Sequence, residues 1–147
     1  EGNAARLQAL SGIAVSPITT SDWAEGMGAS IRAGLSQIAP DAGAVIIGLA
    51  DMPDLTAAHY KALIAAWDED DQDAICRAAT DQGTPGHPVL FPRRYFETLS
   101  GLGGDVGARA LLRDPATEVR LVPTAGQGAL TDLDTPEAWA DWEAARS

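Results

Sequence analysis

Ala44-Val-Ile-Ile-Gly-Leu-Ala-Asp-Met-Pro53 decides the fold of this 147-residue chain. The run is β-branched in its first half and apolar without alternation, the pattern of a parallel strand buried on both faces. Pro53 has no N–H to give to a ladder, so the strand is expected to end there. Such a strand delivers Asp51 to its carboxyl end. In open α/β sheets ligands bind in the crevice beyond the carboxyl ends of the strands, which makes Asp51 the first candidate for chemistry. The competing role is a cap on the following helix, a job that Asp54 or Thr56 would do as well.

Around this strand the composition is that of one globular domain, 46% hydrophobic and 21% charged. No apolar run approaches the roughly 20 residues that span a bilayer. No basic segment followed by an apolar core is seen near residue 1. The single cysteine, Cys76, permits no internal disulfide, and its strand-like setting in Ala74-Ile-Cys76 predicts a buried, inert thiol. A reducing cytoplasm is the compartment expected. Ten Lys and Arg against 21 Asp and Glu give a formal charge of −11, which repels nucleic acid and anionic membranes. A phosphate ligand must then be met by a few local cations, backbone amides or a metal ion, and Mg²⁺ suits that need.

Before the Asp51 strand, residues 3–10 carry Leu7 and Leu10 at helical spacing, and residues 13–20 read as a strand that Pro17 demotes toward an edge. The sequence thus opens on a helix where an α/β domain usually opens on a strand and a phosphate-binding loop, so a first β-α-β portion is expected upstream. Gly26-Met-Gly-Ala-Ser-Ile-Arg32 sets two glycines, the Ser30 hydroxyl and the Arg32 guanidinium at the start of a helix, where anions bind.

After it, residues 56–67 read as an amphipathic helix with His59 on its surface, and residues 73–78 as the next strand. Thr80-Asp-Gln-Gly-Thr-Pro-Gly-His-Pro88 brackets His87 with glycine and proline, predicting a stiff loop that presents an imidazole ahead of a short strand over 89–91. Asp105 is a candidate helix cap with Arg109 one turn later. Residues 118–123 alternate as a strand. Thr135 as N-cap, Pro136 at the first helical position and Glu137 in the first turn start a terminal helix. Asp132 and Asp134 precede it, one expected to face the Asp51 crevice and the other to point away. With Asp51 this gives a two-carboxylate, oxygen-only site suited to Mg²⁺.

Five blocks carry a resemblance: residues 23–35, Leu49-Ala-Asp-Met-Pro53, Gly86-His-Pro-Val-Leu-Phe91, Gly104-Asp-Val-Gly-Ala-Arg109 and Asp132-Leu-Asp-Thr-Pro-Glu137. In this order they resemble the MobA-like nucleotidyltransferases, and within them the molybdenum cofactor cytidylyltransferases. The resemblance covers nearly the whole chain from Trp23 onward. It implies a Rossmann-like, three-layer α/β/α domain over residues 1–147 with a mostly parallel sheet. It implies transfer of CMP from CTP to molybdopterin with release of pyrophosphate. Asp51 and one of Asp132 and Asp134 are the implied Mg²⁺ ligands. Gly26, Gly28, Ser30 and Arg32 are implied at the nucleotide, and Gly86, His87, Pro88, Asp105 and Arg109 at the acceptor. CTP and molybdopterin are the expected small-molecule partners, and the molybdoenzyme that receives the cofactor is a candidate protein partner. Two departures stand out. The family's glycine-rich loop with its arginine and lysine does not occur in these residues, and Leu49-Ala50 replaces the usual glycine before the aspartate. Two other classes remain as alternatives: a nucleotidyltransferase acting on a sugar phosphate or an isoprenoid precursor, which would differ at the His87 and Asp105 blocks, and a non-catalytic receiver-like module. The receiver reading fits poorly, because Asp51-Met-Pro53 are contiguous and that family's acidic pair on the first strand is missing.

Overall fold

Four apolar segments pair into one sheet in the order β1-β3-β2-β4: β1 (Ala44–Ile47), β2 (Ile75–Ala79), β3 (Pro85–Pro92) and β4 (Val119–Pro123). They belong to a computed structural model that describes residues 2–69, 72–101 and 107–146. β3 lies antiparallel to β1, with Val45 opposite Phe91, and antiparallel to β2, with Cys76 opposite Leu90. β2 and β4 pair in parallel, Ile75 opposite Val119. β1, β2 and β4 therefore point the same way, and β3 alone runs against them. Their carboxyl ends share one edge of the sheet, the edge at which α/β folds bind ligands.

The helices are α1 (Gly2–Ala9), α2 (Met27–Leu35), α3 (Ala57–Glu69), α4 (Phe96–Ser100), α5 (Gly107–Arg113) and α6 (Pro136–Ala144). The chain divides into two compact units, residues 1–39 with 97–110 and residues 40–96 with 111–147. The first holds α1 and α2, with Ala29, Ile31 and Leu99 buried. The second holds the sheet, α3 and α6. Its core joins Leu63 of α3 to Cys76, Ala78, Leu90, Val122 and Ala129, with Trp67 packed against them. Leu63 is wholly buried, a burial worth roughly 2 kcal/mol. No helix among the described residues is long and apolar enough to cross a membrane.

Several expectations hold and several change. Cys76 is fully buried, β4 falls where alternation placed it, and Thr135 caps α6 by accepting the Ala138 N–H at 3.1 Å. β1, by contrast, ends at Ile47 rather than near Pro53 and is half-buried throughout, because it lies at the end of the sheet with β3 as its one partner among the described residues. Residues 13–20 form no strand. Ile13, Val15 and Ile18 are exposed there, so no buried face draws the segment into a ladder.

Candidate active site

Met52, 5% exposed, roots the turn that follows β1, and Asp51 precedes it half-buried. Asp51 accepts, on its backbone carbonyl, the N–H of Leu133 at 2.9 Å. Leu133 is itself buried, and its carbonyl accepts the Trp139 indole N–H at 2.9 Å. The Asp132-Leu-Asp134 segment is thus held to the Asp51 turn by its middle residue. Asp132 and Asp134 are both exposed and Leu133 between them is buried, so both carboxylates lie on the face opposite Leu133. This corrects the expectation that one carboxylate faces the crevice and the other points away, since residues two apart along an extended segment share a face.

The Oδ1 atom of Asp51 is buried and has no hydrogen-bond partner among the described residues. A buried carboxylate oxygen without a donor is costly, and a cation relieves the cost. Asp132 and Asp134, which flank the Leu133 tied to this turn, are also carboxylates, and oxygen ligands of this kind select Mg²⁺ or Mn²⁺ over softer metals. No three His, Cys, Asp or Glu side chains among the described residues form a metal-holding group. A cation at Asp51 would accordingly rest on one or two carboxylates and complete its shell with water and phosphate oxygens, the usual habit of Mg²⁺.

Asp54 does something other than capping. Its carboxylate accepts the Trp142 indole N–H at 3.0 Å and pairs with Arg146, whose guanidinium lies 4.1 Å from the centre of the Trp142 ring. Sequence reasoning missed this tie, because its partners lie at the far end of the chain and leave no local pattern. Asp54, Trp142 and Arg146 also line a cleft of about 720 Å³, together with Thr56, His59 and Thr124. His59 is 6% exposed, not on the surface as expected. Its Nδ1 accepts the Thr56 N–H at 3.2 Å, and its Nε2 packs against Gly128, where a Cβ would stand only 3.0 Å away.

The predicted His87 loop is a strand. The His87 N–H donates to the Ala129 carbonyl at 2.9 Å, the Arg77 Nε donates to the Gly86 carbonyl at 2.9 Å, and Pro85 lies opposite Ala79. Gly86 is needed for this approach: a Cβ there would lie 1.9 Å from the Ala129 oxygen. Gly86 and Pro88 are buried and His87 is half-buried, in β3, so the reading that no strand face exists to bury the imidazole does not hold. The His87-Pro88 peptide is cis.

The remaining predicted residues fall in the first unit. Gly26, at φ +87°, precedes α2 in a conformation that favours glycine. Gly28 is buried and Ser30 exposed on α2, and Arg32 pairs with Glu25. Arg109 is exposed on α5, and Asp105 lies outside the described residues. The structure therefore ties the Asp132-Leu-Asp134 segment to the Asp51 turn through the backbone, in the unit that also holds Gly86, His87 and Pro88. The nucleotide set belongs to the other unit.

The chain is 32% identical over 120 residues to purine catabolism protein PucB of Bacillus subtilis strain 168, an alignment that covers 80% of the chain and 56% of PucB. It spans, then, little more than half the length of that relative. The crystal structure of Rv0371c from Mycobacterium tuberculosis H37Rv matches with a TM-score of 0.76 and 26% identity, over 96% of this chain and 70% of that one. The structure of the Rv0371c complex with manganese matches with a TM-score of 0.75 and 26% identity, over 95% and 72%. The fold is the Rossmann-type fold of these neighbours. Residues 2–121 match the model of a family described as the MobA-like NTP transferase domain, and the chain belongs to that family.

Proposed function

We propose that this chain is the greater part of a nucleotidyltransferase that moves CMP from CTP to molybdopterin and releases pyrophosphate. Asp51, with Asp132 or Asp134, would hold the divalent cation, which supplies charge neutralisation at the α-phosphate when bound. An oxygen of the acceptor's phosphate forms the new bond to the α-phosphorus as the bond to the leaving pyrophosphate breaks. No protein nucleophile is required, since such transfers depend on positioning and electrostatics. Gly26, Gly28, Ser30 and Arg32 are assigned to the nucleotide, and Gly86, His87, Pro88, Asp105 and Arg109 to the acceptor.

The observation that carries this reading is the buried Oδ1 of Asp51, without a hydrogen-bond partner among the described residues, on a turn tied to Asp132-Leu-Asp134. Family membership and the manganese complex of Rv0371c support it. The name of PucB favours a second reading of the acceptor, in which the same transfer serves purine catabolism. Pyrophosphate release by the intact polypeptide tests both. Release is expected with CTP, Mg²⁺ and molybdopterin together, and much less when CTP is replaced by GTP. Release that ignores molybdopterin would reject the cytidylyltransferase assignment.

A further inference from the structure

We propose that Asp54 is a positioning residue for the metal-binding carboxylates, acting through the last turn of α6. The proposal rests on the reading that Asp51 holds a divalent cation, but its own observation is separate. Among the described residues, two hydrogen-bonded ties join the turn after β1 to the C-terminal segment. One is the Leu133 N–H on the Asp51 carbonyl. The other is the Asp54 carboxylate, which accepts from Trp142 and pairs with Arg146.

Between these ties the segment is braced internally. The Trp139 indole holds the Leu133 carbonyl, the Trp139 and Trp142 rings meet edge to face at 5.9 Å and 68°, and Thr135 caps the helix that carries both. Asp132 and Asp134 themselves lie outside any helix or strand. A single backbone hydrogen bond at Leu133 would leave them free to pivot about that point. The second tie, three residues beyond Asp51, removes that freedom and sets where the two carboxylates stand relative to Asp51. Residues that orient the ligands of a metal commonly change its affinity about tenfold or more, without touching it. The Asp54 carboxylate is taken up by an indole N–H and a guanidinium, as a supporting group would be.

Calorimetric titration of the full chain with Mn²⁺ alone tests this. Wild type is compared with Asp51→Asn, Asp54→Ala, Asp54→Asn and Trp142→Phe, with helix content checked by circular dichroism. Asp54→Ala and Trp142→Phe should each weaken Mn²⁺ binding about tenfold with the fold retained. Asp54→Asn, which still accepts the indole N–H, should stay within about threefold of wild type. If Asp54→Ala fails to fold, Trp142→Phe decides, since it removes one donor and leaves a ring for Arg146 to cover. Wild-type Mn²⁺ affinity in folded Asp54→Ala and Trp142→Phe, alongside lost binding in Asp51→Asn, overturns the positioning role and leaves the metal site standing. An Asp54→Asn variant as weak as Asp54→Ala also overturns it, because charge rather than position would then be at work. Equal binding by wild type and Asp51→Asn removes the metal site and this proposal with it.

Discussion

Leu133 gives its backbone N–H to the carbonyl oxygen of Asp51 at 2.9 Å, and this contact ties the turn that holds Asp51 to the segment with the two aspartates that precede α6. It is a main-chain contact and does not engage the Asp51 carboxylate. The Oδ1 of that carboxylate is buried without a partner among the described residues. An oxygen kept buried without a donor in this way calls for an explanation beyond stability, and a bound ion is one.

Gly86→Ala should prevent the close passage of β3 beneath residue 129. The added Cβ would meet backbone, at 1.9 Å from the Ala129 oxygen, which cannot swing away as a side chain does. A loss of about 3 kcal/mol is expected, read as a lower urea midpoint. An unchanged midpoint would mean that the 127–131 segment is not packed on β3.

Thr135→Ala should cost about 1 kcal/mol by removing the acceptor for the Ala138 N–H. Thermal unfolding followed by the helical circular dichroism signal would show the loss, and Thr135→Ser should recover most of it.

His87→Ala should raise the KM for the acceptor about tenfold while CTP affinity by calorimetry stays within about twofold. His87 is half-buried in β3. Collapse of CTP affinity instead would place the imidazole on the nucleotide side.

Much of the fold was legible because local chemistry decided it. Thr135-Pro-Glu137 is a helix start that needs no tertiary help, and the alternation of residues 118–123 and the apolar setting of Cys76 each name their element. Legibility failed where a distant partner decides. Glycine and proline around His87 read as a loop, yet β1 and β2 on either side, with Ala129 at its start, draw the segment into a strand. His59 is buried by Gly128 and its own Thr56 rather than by any periodicity of α3. The strand over 44–53 proved shorter than its apolar run, since hydrophobicity persists into the turn that Met52 anchors. Within the site, the aspartates were found from residue type and place, whereas the Asp54 tie to Trp142 and Arg146 depends on distant parts of the chain meeting in space.

The most direct measurement is the metal dependence of turnover in Asp51→Asn, made in the intact polypeptide. The substitution keeps the size of the side chain and removes one ligand charge, and no described residue bonds to the Oδ1 it alters. A native circular dichroism spectrum is predicted, with Mg²⁺-dependent pyrophosphate release lowered roughly a hundredfold or more. Turnover equal to wild type at the same Mg²⁺ concentration, in a folded variant, would contradict the assignment of Asp51 to the metal.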